Sequence, residues 1–144
     1  MKRLLLTAVI AASLGGCASV PVGDAKQDAA LKTFSVPANG AGVYIYRNES
    51  MGAAVKMAVE IDGKFIGQTS ANTYLYKEVA PGRHTISSNA ENTDFVGIDV
   101  GPGTLTYIWQ EVKMGFLFAR TKLNLVGEAE GKKGVLETKL AETK

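Results

Sequence analysis

The sequence predicts an all-β fold, an antiparallel β-sandwich of about eight short strands with a short C-terminal helix. Three observations carry that expectation. Val55, Met57, Val59 and Ile61 alternate with Lys56, Ala58 and Glu60, the period of a half-buried strand. Glycine-containing turn signals (Asp62-Gly63, Pro81-Gly82, Gly101-Pro102-Gly103) recur between runs rich in β-branched and aromatic residues. A helical spacing of apolar residues appears after the last of those runs, around Ala129, Val135, Leu136 and Leu140.

Taken in order, residues 42–47 (GVYIYR) form the first strand and residues 55–61 the second. Asp62-Gly63 suits a type I′ turn, which needs positive φ at both central positions, so residues 64–68 return as a hairpin partner. Residues 73–79 (TYLYKEV) make a strand, Pro81-Gly82 fits a type II turn, and residues 83–87 lead away as a second hairpin. Residues 94–100, the Gly101-Pro102-Gly103 turn and residues 104–112 (TLTYIWQEV) read as a third, and residues 119–126 as a last strand. Between 127 and 140 the helix is weakened by Gly131 and Gly134.

The N-terminus obeys other rules. Lys2 and Arg3 precede residues 4–14 (LLLTAVIAASL), an apolar stretch of eleven residues ending among small ones, which is the pattern of an export signal. As a helix it would be about 16 Å long against the ~30 Å of a hydrocarbon core, too short for a stable span. It runs into Leu14-Gly15-Gly16-Cys17, which resembles the lipobox of bacterial lipoproteins: an apolar residue and two small ones for the peptidase, then the thiol that receives the lipid. That resemblance implies cleavage after Gly16 and covalent diacylglycerol plus an N-acyl chain (palmitate being typical) on Cys17. Two or three chains hold a protein on a bilayer for long times. Ala18, rather than Asp, follows Cys17. By the same resemblance, that favours the periplasmic face of the outer membrane. Residues 17–40 are then expected to be a lipidated flexible tether, broken by Pro21, Gly23, Pro37 and Gly40, and residues 41–144 the folded domain.

The combination of VYIYR, IDGKFIG, YLYKEVAPGRHTI and WQEVKMGFLFARTKLNLV after a lipobox resembles the bacterial lipoproteins grouped as domain of unknown function 2846. The spacing DGK, G, PG and HT is also similar to PEGA-type β-domains. The resemblance implies a β-sandwich-like envelope domain and brings no catalytic residues.

Charge argues against nucleic acid. The 16 basic and 14 acidic residues give +2, and Lys2 and Arg3 account for that excess. With Cys17 acylated, His84 would need carboxylates alone to hold a metal, so no metal or other cofactor is expected. Ser87 or Ser88 with His84 and Asp99 lacks a nucleophile elbow, and the pairs Glu60/Asp62 and Asp94/Asp99 read as polar faces and turns rather than glycosidase carboxylates. The expectation is a non-enzymatic envelope module that binds or assembles a partner protein. The alternative is a small-molecule or glycan binder, with an undetected hydrolase behind it.

Two surfaces are candidates for contact. Tyr44, Tyr46, Tyr74, Tyr76, Tyr107 and Trp109 fall on predicted strands, where such residues ordinarily fill a core, with Tyr74 and Tyr76 the candidates for a binding face. Met114-Gly115-Phe116-Leu117-Phe118 lies between two predicted strands. Core packing with a strand continuing through it is the first expectation, and an exposed apolar lip formed by Phe116, Leu117 and Phe118 is the alternative.

Overall fold

The computed structural model describes residues 18–144, so Leu14, Gly15, Gly16 and Cys17 lie outside the described residues. The described chain runs α1 (Ala25–Leu31), β1 (Ala41–Arg47), β2 (Met57–Ile61), β3 (Lys64–Thr69), β4 (Thr73–Val79), β5 (Gly82–Asn89), β6 (Thr93–Val100), β7 (Thr104–Met114), β8 (Ala119–Val126), α2 (Glu128–Leu136) and β9 (Lys139–Leu140). All eight predicted strands are present. The strands form a sandwich of a five-stranded sheet, β8-β7-β1-β4-β9, and a four-stranded sheet, β3-β2-β5-β6.

Alternation decides which side chains meet between the sheets. Val43, Ile45, Leu75, Ile108 and Leu123 face Val59, Ile61, Ile86, Ile98 and Val100 in one apolar core. A polar chain crosses this interior at one end. Gln110 is fully buried, donates to Ser88 Oγ at 2.6 Å and accepts from Thr69 Oγ1, while Ser88 shares a 2.7 Å hydrogen bond with Thr121. One side chain each from β3, β5, β7 and β8 ties the two sheets in register.

The β2–β3 hairpin forms as expected, with φ of 52° at Asp62 and 73° at Gly63, both in the left-handed region that a type I′ turn requires. The second and third predicted hairpins do not form. β4 pairs with β1 and β9, and β5 pairs with β2 and β6, so Pro81-Gly82 carries the chain from one sheet to the other. Gly101-Pro102-Gly103 does the same between β6 and β7. A turn signal reports a change of direction, not which edge the next strand joins. Besides β2–β3, the hairpins that form among the described residues are β5–β6 and β7–β8. The sandwich is also not wholly antiparallel, since β1 runs parallel to β7, and β4 to β9.

β1 is buried along its whole length because both faces are covered. Inward it meets the four-stranded sheet; outward, Tyr44 and Tyr46 lie under the helices. The predicted helix therefore exists as α2, but it ends at Leu136, and Lys139–Leu140 adds a ninth strand.

The largest departure lies in residues 18–40. Their expected role as a flexible tether is corrected by the fold: Val20 is buried in the core, Val22 bridges to Ala141, and α1 is capped by Asp24, whose carboxylate accepts from Gln27 N at 2.9 Å. Tyr44 donates to Leu31 O at 2.8 Å and Lys32 donates to Thr138 O at 2.6 Å, so the segment is held by groups far along the chain. The folded unit takes in residues 18–40 as well as 41–144.

Arg47 organises the loop after β1. Its guanidinium is fully buried and donates to the carbonyls of Val55 at 2.7 Å, Gly52 at 2.6 Å and Met51 at 3.2 Å. Burial lowers its pKa, with Glu49 opposing the shift. Glu49 itself accepts from Val112 N at 2.8 Å, fixing the loop beside β7.

Candidate functional site

The tyrosines predicted as a possible binding face form the layer between the five-stranded sheet and the helices. Tyr44, Tyr46, Tyr74 and Tyr107 cluster with Val135 and Leu140, and Tyr76 and Trp109 are partly buried at the margin. Tyr44 stacks on Tyr107 at 5.3 Å between ring centroids and tilts against Tyr76 at 4.7 Å. Tyr74 is fully buried and donates to Asp28 on α1 at 2.7 Å. Burial pushes the phenols of Tyr46, Tyr76 and Tyr107 up to about 12 and those of Tyr44 and Tyr74 higher still, so all remain protonated. As a contact surface Tyr74 is thus corrected to a packing residue; α1 and α2 occupy the side on which a ligand would have to lie.

Among the described residues no such roof is packed outside the four-stranded sheet. Phe65 pairs with Glu60, Glu60 with Ser87, and Ser87 with Phe95, so the pairing register lays these four side chains in one row across the sheet. Phe65 is 46% and Phe95 64% exposed. Three strand spacings separate the two rings, about 14 Å at roughly 4.8 Å each. Ser87 donates to Glu60 at 3.5 Å between them.

The serine, histidine and aspartate considered from sequence are not brought together as a nucleophilic set. Ser88 belongs to the buried Gln110 chain, and Asp99 pairs with Arg83 at 3.6 Å. His84 is held on both nitrogens, Nδ1 by Asp62 Oδ2 at 2.6 Å and Nε2 by Ala80 O at 2.7 Å. Asp94, from the second carboxylate pair, accepts from Leu123 N at 2.7 Å along the edge of β8.

The Asp62 hydrogen bond, followed by that to Ala80 O, raises the His84 pKa above its ordinary value, and the same contact lowers that of Asp62. The stabilisation from His84 is complete below about pH 6.5, its unfolded value, and is lost as pH rises through the raised folded value. That from Asp62 is lost as pH falls through its depressed value. An NMR titration should therefore find His84 above about 6.5, and Asp62→Asn should return it toward that figure. A His84 titration unmoved by Asp62→Asn would remove the link.

The segment around Phe116 departs from its first expectation. β7 stops at Met114 and β8 starts at Ala119, so residues 115–118 are the tip of a hairpin rather than a strand through the core. Met114 is 83%, Phe116 95%, Leu117 74% and Phe118 72% exposed. A carboxylate shapes this tip. Glu91, in the β5–β6 turn, accepts from the backbone N–H groups of Phe116 at 2.7 Å, Leu117 at 2.6 Å and Phe118 at 2.5 Å. The Phe118, Leu117 and Phe116 amides hold the Glu91 pKa below the usual carboxylate range. A Cβ at Gly115 would fall 2.0 Å from Glu91 Oε2, so glycine is needed for the carboxylate to enter. With the three amides satisfied by Glu91, the apolar side chains are left exposed.

Sequence reasoning identified the tip residues and missed Glu91 and Arg47. Neither has a local signal: Glu91 meets Phe118 across 27 positions of sequence, in a turn that reads as ordinary polar loop.

The family described as Protein of unknown function (DUF2846) matches residues 37–122, which takes in β1 through the first half of β8. A Haemophilus influenzae protein described as uncharacterized is 35% identical over 135 residues, covering 92% of this chain and 80% of its own length. No solved structure gives a significant match. The family match spans more than half of the chain, and the relative extends the likeness to 92% of it; the chain belongs to the DUF2846 family.

Proposed function

We propose that this chain is a lipid-anchored envelope protein, held by Cys17 on the periplasmic face of the outer membrane, and that it works as a non-enzymatic binding or assembly module. The observation that carries the binding half is the asymmetry of the sandwich. One outer face is closed by α1 and α2 over tyrosines, and the other presents Phe65, Glu60 and Phe95 in a row that runs over the buried Ser87. Two exposed rings about 14 Å apart, with a carboxylate between them, suit a protein surface carrying apolar side chains at its ends and a donor at its centre. The anchoring half is supported by the basic pair Lys2-Arg3, the short apolar stretch and Leu14-Gly15-Gly16-Cys17.

Cells grown with labelled palmitate should label the wild-type protein and not Cys17→Ala; equal labelling would end the anchoring reading. A photo-crosslinking residue at position 95 should give a discrete protein adduct in intact cells, while one at Lys26 on the helical side should not. Adducts from position 26 with none from 95 would move the contact to the other face.

A further inference from the structure

An exposed apolar tip needs an occupant, and the course of the described N-terminus says which one is nearest. Ala18 N donates to Ala53 O at 3.2 Å. Ala53 follows Gly52, where a Cβ would stand 3.0 Å from Val112 Cγ1 and 3.5 Å from Ala119 Cβ. Ala119 pairs with Met114 at the root of the hairpin tip. Cys17 is one peptide bond from Ala18. The anchoring residue is thus joined to the same end of the sandwich that carries Phe116, Leu117 and Phe118, and Met51 in the adjoining loop is 58% exposed there as well.

Charge at this end is complementary to a bilayer surface. Lys113 faces Arg120 across the hairpin, one rung behind Met114 and Ala119, Lys122 follows on the same strand, and Lys56 lines a cleft with Phe118. The carboxylates nearby are engaged within the protein: Glu91 by the tip amides, Glu49 by Val112 N, and Glu111 by Lys113 and Asn124. Apolar residues at a tip with basic residues directly behind them match the order of acyl chain and phosphate headgroup in an anionic leaflet.

We propose that the β7–β8 tip is a membrane wedge: Met114, Phe116, Leu117 and Phe118 enter the headgroup–acyl boundary of the bilayer that holds the Cys17 lipid, and Arg120 and Lys56 meet its phosphates. The wedge rests on the lipid-anchor reading for its nearness to the surface. Glu91 acts as a positioning residue, because its carboxylate satisfies the backbone donors that would otherwise have to be carried into the boundary region unpaired. With a lipid chain and a wedge at one end, the sandwich would be fixed in orientation rather than swinging, and the row from Phe65 to Phe95 would be presented at a constant angle.

The test uses the purified full-length protein as cells process it, in vesicles of phosphatidylethanolamine and phosphatidylglycerol. Cys17 is the sole cysteine of the chain, so once it is acylated Leu117→Cys or Phe95→Cys offers a single free thiol for an environment-sensitive fluorophore. The label at 117 should shift to the blue, brighten several-fold and be quenched by bromine-labelled acyl chains, and the label at 95 should do none of these. A label at 117 that stays as water-exposed as that at 95, on protein shown by mass spectrometry to be lipidated and vesicle-bound, overturns the wedge and leaves the anchor standing. If no lipid is found on Cys17, the anchor reading fails by itself. Sedimentation of the same protein with the vesicles then decides the wedge, retained if the label at 117 still loses water and overturned if it does not. Phe116→Asp, at an exposed position, should keep the wild-type melting temperature and abolish the dehydration of the neighbouring label; a large fall in melting temperature would place Phe116 in packing instead. A photo-crosslinker at 116 that captures a protein rather than phospholipid in intact cells would likewise overturn the wedge.

Discussion

Val59→Asp is expected to cost about 6 kcal/mol of folding stability at neutral pH, while Lys56→Asp on the same run should cost less than ~1 kcal/mol. Val59 is fully buried between the sheets and Lys56 is exposed. Losing the valine removes roughly 1.5–2 kcal/mol of apolar burial. Keeping the new carboxyl neutral at pH 7 requires raising its pKa by about 3 units, at about 1.4 kcal/mol each. The second contribution dominates and has a pH signature. With the folded pKa above the unfolded value, the deficit falls to the burial part below about pH 4 and grows as pH rises toward the folded pKa. Urea unfolding at pH 4 and pH 7 would read this directly; a midpoint unchanged from wild type at pH 7 would contradict burial at this position.

The paired change Gly131→Ala and Gly134→Ala in α2 should destabilise by about 2–4 kcal/mol, although alanine is the better helix former. On propensity alone the two substitutions would gain roughly 1 kcal/mol each. Packing opposes this. A Cβ at Gly134 would lie 2.0 Å from Tyr46 Cε2, and one at Gly131 would lie 2.2 Å from Tyr107 Cγ. Tyr46 and Tyr107 are buried on adjacent strands and cannot retreat, so α2 has to lift away from the sheet. Near-ultraviolet circular dichroism should show the loss of fixed tyrosine environments before the helical signal disappears. A variant more stable than wild type would show that the glycines are merely tolerated in α2, not required for its docking.

These glycines show where sequence reading stops. As local signals they weaken a helix, and the sequence gives no sign that they let it sit flat on aromatic rings from β1 and β7. The six ring residues were legible as strand positions, but their partner lay in α1 and α2, so a possible ligand face became an internal layer. Residues 18–40 were misread for the same reason. Short polar and small residues with two prolines and two glycines have no period of their own, and their order comes from contacts with Tyr44, Tyr74, Thr138 and Ala141.

At the hairpin tip the sequence supplied the anomaly, five residues of which four are large and apolar where a polar turn is usual. It left open whether they point in or out. The tertiary structure answers that: the tip amides bond to Glu91 of the neighbouring turn, and the side chains stay exposed.

By itself the sequence determined what is written in short-range chemistry: the eight strands, through alternation in residues 55–61 and through β-branched and aromatic runs bounded by turns elsewhere, and the β2–β3 turn, through the positive φ of Asp62-Gly63. Only the tertiary structure decided which sheet each strand joins, why β1 and β7 run parallel, where α1 and α2 are seated, and which aromatic residues face solvent. Strand pairing and helix docking depend on surfaces assembled from residues tens of positions apart. A turn or an alternation constrains only its own neighbours, so those choices are settled by the burial and hydrogen bonding of the whole domain.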